Sequence, residues 1–132
     1  MIKSFRDLRV WQLGMDLAVE AYRLTGSFPK HEAFGLGAQM QRAAVSVPSN
    51  IAEGHAREHR KEYLHHLSVA QASLAEMETH AELAARLGYC SLQFLTIFLG
   101  NADSLGKQLR SLRRALKTPR KPVGRNGTMA NP

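Results

Sequence analysis

The sequence predicts an all-α protein: an up-down-up-down antiparallel four-helix bundle with a proline-kinked second helix. Three observations predict it. Apolar residues recur at three- and four-residue intervals over four long segments, while strand-like alternation never persists. Short connections separate these segments, which makes consecutive helices antiparallel neighbours. The length, 132 residues with 44% hydrophobic content, suits one domain with a real core. The bundle is expected over residues 1–117 and a disordered basic tail over residues 118–132.

The first helix is expected from about Asp7 to Leu24. Val10, Gly14, Leu17, Ala21 and Leu24 form one stripe, and Trp11, Met15, Ala18 and Tyr22 form the stripe beside it. Together they make the wide apolar face of a bundle helix. Ser4 and Asp7 have capping-box spacing, with aspartate where glutamate or glutamine is usual. Gly26, Pro29 and Gly35 then break the pattern.

The second helix places Leu36, Met40, Ala43, Ala44, Val47 and Ile51 on one face, with Pro48 among them. Proline cannot donate to the carbonyl of Ala44, and its ring collides with that group. Either the helix kinks at Pro48, or one helix ends near Ser46 and another begins with Pro48 at its first position. Apolar spacing continues across the proline, which favours one kinked helix from about Phe34 to Glu53. Ser46, Pro48, Asn50, Glu53 and Gly54 then form a structural joint. In it the Ser46 hydroxyl caps freed groups, Asn50 and Glu53 satisfy backbone atoms, and Gly54 ends the segment.

The third helix is expected from about Glu58 to Leu87. Tyr63, Leu67, Ala70, Leu74, Met77, Ala81 and Ala84 repeat in a 3-4 rhythm, the mark of a helix packed nearly along its neighbours. At ~1.5 Å per residue it reaches ~45 Å. Gly88 supplies the stop. The fourth helix runs from about Leu92 to Lys117, with Phe94, Phe98, Leu105, Leu109, Leu112 and Leu116 inward, until Thr118 and Pro119 end it.

Ser46, Ser49, Asn50 and Glu53 crowd a bend, as catalytic residues can. A serine nucleophile needs a base and an oxyanion site, and no G-x-S-x-G motif occurs. The reading is therefore of a protein that is not an enzyme. His55, His59, Glu62 and His66 fall at 4-3-4 spacing, hence on one face of a helix, where neutral imidazoles one turn apart suit zinc or nickel. With no cysteine nearby and a single element supplying all the donors, this is read as a solvated polar face. No metal or cofactor is expected.

The single cysteine, Cys90, allows no internal disulfide and points to a reducing cytoplasmic setting. The N-terminal stretch lacks the apolar run of a signal peptide, and no membrane span is expected. Net charge is +7, and its location is informative. Residues 1–102 hold ten Lys/Arg and ten Asp/Glu, whereas from Asp103 onward eight Lys/Arg face one acid. Lys107, Arg110, Arg114 and Lys117 share the outer face of the fourth helix, flanked by Arg113 and continued by Arg120, Lys121 and Arg125. Such a face suits a phosphate backbone. The plain alternative is a solubilising surface whose cations favour the helix C-terminus.

The stretch "FGLGAQMQRAAVSVPSNIAEG", with "RDLRVWQ" near the start and "RLGY" at 86–89, resembles the four-helix-bundle family of rRNA intervening-sequence proteins. That family also resembles the accessory variability protein of diversity-generating retroelements. The resemblance covers about residues 5–117. It implies a ring-shaped homopentamer, a nucleic-acid association and, for the retroelement relative, partnership with a reverse transcriptase. It supplies no catalytic residues. Arg42 matches a basic position of the family, while Gln41 stands where a second basic residue is common. The expected function is therefore an oligomeric bundle that binds DNA or RNA without strong sequence preference. The alternative is a scaffold or accessory subunit for an acidic or polymerase-like protein.

Overall fold

The computed structural model describes residues 2–118. Four helices carry the chain: α1 (Arg9–Thr25), α2 (Leu36–Ala56), α3 (Arg60–Arg86) and α4 (Leu92–Lys117). One-turn 3-10 helices occur at Phe5–Asp7 and Lys30–Glu32. No strand occurs among the described residues. α1 packs on α2 and α4, and α3 on the same two helices, so α2 and α4 sit diagonally opposed. The expected tail, with Arg120 and Lys121, lies outside the described residues apart from Thr118.

The Ser4–Asp7 capping box forms, but around the 3-10 turn rather than α1. Ser4 Oγ accepts from the Arg6 N–H, and the Asp7 carboxylate accepts from the N–H groups of Lys3 (2.8 Å) and Ser4 (3.1 Å). These bonds hold the Asp7 carboxyl below the usual carboxylate range. Leu8 is extended, and α1 begins only at Arg9.

The two stripes of α1 part company. Val10, Gly14, Leu17, Ala21 and Leu24 are buried, whereas Met15 and Tyr22 remain 41% and 46% exposed. On α2 every predicted inner residue is buried. On α3 Leu67 through Ala84 are buried at the predicted rhythm, and Tyr63 packs half-buried against the core. Phe98, Leu105 and Leu109 of α4 are fully enclosed, with Phe94, Leu112 and Leu116 at the margin. Each fully enclosed Leu or Phe side chain contributes about 1.5–3 kcal/mol over an exposed one.

α3 stops as its glycine predicts. Gly88 takes φ +81°, and the Tyr89 N–H reaches back to the Ala84 carbonyl at 2.8 Å. Tyr89 then ties the two connections at this end together. Its hydroxyl donates to Glu32 at 2.8 Å, and the other Glu32 oxygen accepts the Leu36 N–H that opens α2. The Tyr89 bond first, then that N–H, lowers the Glu32 carboxyl, while the same contact raises the Tyr89 phenol. Among the described residues no helix is long and apolar enough to cross a membrane.

Candidate functional site

Pro48 lies inside α2, which continues unbroken from Leu36 to Ala56. Of the two readings of this stretch, the single helix is the one found. Its polar residues meet the expectation in part: Asn50 satisfies a backbone carbonyl, while Ser46 and Glu53 bond elsewhere. Asn50 Nδ2 donates to the Ser46 carbonyl at 2.9 Å and to Ser46 Oγ at 3.0 Å. Ser73 Oγ of α3 donates to the same Ser46 hydroxyl oxygen at 2.7 Å, so Ser46 bridges two helices instead of capping its own. His66 Nδ1 sits 3.0 Å from Asn50 Oδ1. Glu53 serves no backbone group. It pairs with Arg57 at 2.9 Å and stands 4.0 Å from His66 Nε2.

Gly54 does not end the helix. A Cβ there would fall 2.8 Å from His66 Cβ and 3.0 Å from the Tyr63 ring, so glycine lets α2 and α3 approach closely. The actual stop comes at Arg57, whose extended backbone (ψ 150°) leaves the helix. His59 is extended too, and α3 begins at Arg60. The 4-3-4 histidine spacing therefore crosses a helix break. His55 ends on α2 against Tyr63, His59 lies in the turn, and Glu62 and His66 belong to α3. Among the described residues no group of three His, Cys, Asp or Glu converges to hold a metal ion. The serines of the joint bond to each other and to Asn50, and His66 meets Asn50, so the joint holds α2 against α3.

The cations of α4 separate into two groups. Lys107, Arg110, Arg114 and Lys117 are exposed, as their spacing predicts. Lys107 pairs with Asp103 at 3.2 Å. Arg110 lies over the seam with α3, where burial and then Asp103 and Glu82 push the Glu78 carboxyl upward, with Arg110 acting against them. Arg113 is half-buried and turns inward: Nη1 donates to Gln71 at 3.4 Å, and its Nε is enclosed without a partner. Arg42 is exposed on α2, diagonally across the bundle from α4, beside a polar cleft of about 260 Å³ with Gln39, Ser46 and Glu76. The fold thus keeps Arg42 apart from the α4 face.

Trp11 and Tyr22 stand on an apolar face wider than a narrow bundle buries, and the structure leaves that face open. Trp11, Met15, Val19 and Tyr22 of α1 face Val45 and Pro48 of α2 across an open apolar groove of about 600 Å³. The second stripe of α1 was its signal. Helical spacing marks that stripe as apolar without distinguishing a core from a groove.

Taken together, the fold and site define a small four-helix protein with an open apolar groove, a bridged α2–α3 joint and a cationic α4 surface. The chain belongs to the 23S rRNA-intervening sequence protein family, which it matches over residues 6–111. It shares its fold with the crystal structure of a protein of unknown function from the S23 ribosomal protein family of Bacteroides thetaiotaomicron. The TM-score is 0.74 at 22% identity, covering 80% of this chain and 95% of that one. No curated protein matches the sequence.

Proposed function

We propose that this is a non-enzymatic, oligomeric bundle protein that binds nucleic acid through phosphate contacts, without strong sequence preference. The observation that carries the reading is the exposed row Lys107, Arg110, Arg114 and Lys117 on α4. Within it only Lys107 has a carboxylate within ion-pair distance among the described residues. Backbone cations of this kind bind without reading bases. The membership in a family named for an rRNA insertion supports the same reading. Assembly as a homopentamer follows from the family resemblance, and the open α1–α2 groove supports it as a face that a second copy would cover. A cytoplasmic location is proposed from the lone cysteine.

The test is an anisotropy titration of DNA and RNA across salt concentrations. Reversing Arg110 and Arg114 to Glu should weaken both and flatten the salt dependence, with helicity and oligomer size intact. Deleting residues 119–132, which hold three of the eight C-terminal cations, should act in the same direction and more weakly. A parent protein with no measurable binding near physiological salt would sink the proposal. The groove favours one other reading, that of an accessory subunit for a polymerase-like enzyme such as a reverse transcriptase. Its contact would be apolar and nearly insensitive to salt.

A further inference from the structure

The first 102 residues sum to zero charge, yet the fold sorts their charges by height along the bundle. Lys3, Arg6 and Arg9 stand where α1 begins. Arg57 lies in the turn from α2 into α3, and Arg60 and Lys61 open α3 just after it. The register between helices shows which ends coincide. Gly14 of α1 lies against Pro48 and Ile51 of α2, and Glu20 meets Asn101 of α4 at 3.2 Å. The start of α1, the α2–α3 turn and the end of α4 therefore share one end of the bundle. There α4 adds Arg113, Arg114 and Lys117.

Nine cations from three separate stretches thus meet four carboxylates, Asp7, Glu53, Glu58 and Glu62. Two of the four are already engaged, Asp7 by backbone N–H groups and Glu53 by Arg57. Over the rest of the described chain six cations stand against seven acids. Eight of the nine end cations are exposed, Arg113 being the exception. The bundle is cationic at this end and close to neutral elsewhere.

We propose that this end of the bundle is a docking surface for the phosphate backbone of a nucleic-acid duplex. The inference rests on the nucleic-acid reading above and names the surface and the form of the partner. Packed helices lie about 8–10 Å apart, so cations at the corners of a four-helix end span distances comparable to a duplex groove, ~6–12 Å. They can meet phosphates on both of its walls. Single strands are bound differently, by stacking bases on free aromatic faces. Among the described aromatic residues at this end only Trp11 turns toward open space, and it does so in the apolar α1–α2 groove. Phe5 is capped by the Arg6 guanidinium at 4.5 Å and edged by Trp11, and Tyr63 packs against His55 and the core.

The experiment compares two charge reversals of equal size in the full chain. R60E/K61E alters the docking end. Both side chains are exposed, and acids are favourable in the first turn of α3, so the fold should tolerate the change. K30E/R86E alters exposed cations at the opposite end. Anisotropy is read on a 20-base-pair RNA duplex, the matching DNA duplex and one of its single strands. R60E/K61E should weaken duplex binding by about tenfold or more near 100 mM salt and lower the log–log salt slope by ~2, about 1 per cation. K30E/R86E should stay within about threefold of the parent on the same electrostatic argument. Equal losses in the two variants would show that binding follows net charge and would overturn the docking end. Tighter binding of the single strand would overturn the duplex. Binding that survives R60E/K61E but is lost when Arg110 and Arg114 are reversed would return the site to the side of α4. No binding by the parent chain to any of the three nucleic acids would remove the nucleic-acid reading itself.

Discussion

Asn50 Oδ1 and His66 Nδ1 face each other at 3.0 Å across the seam between α2 and α3. The chemistry of the joint decides which of them donates. The Ser46 carbonyl can only accept, so the Asn50 group 2.9 Å from it is the amide nitrogen. That orientation turns the amide oxygen to His66, and His66 must hold a proton on Nδ1. The Ser46 hydroxyl oxygen accepts from both Asn50 and Ser73, which closes a chain of bonds from one helix to the other.

Replacing Asn50 by leucine removes the acceptor for His66 and a donor to Ser46 at a half-buried position. Leaving such groups unpaired costs about 1–3 kcal/mol. Ser49 is exposed, and Ser49→Ala should change stability by no more than about 0.5 kcal/mol. Urea unfolding of the two variants measures the contrast. Equal midpoints would remove Asn50 from any structural role.

Two glycines make opposite forecasts. Gly54→Ala gains intrinsic helix propensity but places a methyl 2.8 Å from His66 Cβ, an atom that cannot swing away without moving α3. The overpacking should dominate, a net loss of about 1–3 kcal/mol. Gly100 in α4 has open space around its would-be Cβ, so Gly100→Ala should stabilise by about 0.5–1 kcal/mol. Thermal melts of both variants check the pair.

His80 is buried on α3, and its Nδ1 finds no hydrogen-bond partner. Burial lowers its pKa, opposed by Glu76 one turn away. The unfolded chain therefore binds a proton at higher pH than the folded one. The fold keeps the benefit of neutral His80 above about 6.5, the ordinary histidine value, and loses it as pH falls below that. His80→Leu should abolish this part of the acid sensitivity. Urea unfolding at pH 7.5 and pH 5 should show a smaller drop in the variant than in the parent, and an equal drop would refute the assignment.

The core was legible because helical periodicity states it directly. Val10 to Leu24, Leu36 to Ile51 and Leu67 to Ala84 are buried as their spacing requires. The joint was half legible. Pro48 announces an irregularity, but the partners that resolve it, His66 and Ser73, lie on another helix, and local reading cannot pair across that distance. The histidine row misled for the converse reason. Spacing implies a shared face only while one helix persists, and Arg57 to His59 interrupt it. Charge was legible as a sum along the chain and not as a distribution in space. The neutral total of residues 1–102 conceals six cations that the fold carries to the end of α4.

The α1–α2 groove makes the last forecast. Met15, Val19, Tyr22 and Val45 are each 41–47% exposed, and they line one continuous apolar surface with Trp11 and Pro48. Scattered apolar residues on a surface need no explanation, but a contiguous patch along two helices usually marks an interface. A second copy of the chain is the occupant that the homopentamer reading requires. Light scattering at micromolar concentration should therefore return a stable oligomer for the parent protein. Val19→Glu with Val45→Glu should shift it to monomer, because each charge would have to be desolvated at the contact. Both side chains are already half in water in the single chain, so helicity and thermal midpoint of the monomer should survive the change. If the parent itself is monomeric at that concentration, the groove is not a self-association surface. If the double variant keeps the full oligomer mass, assembly uses another apolar surface, and Leu83, Leu87, Leu92 and Ile97 near the α3–α4 turn are the next residues to charge.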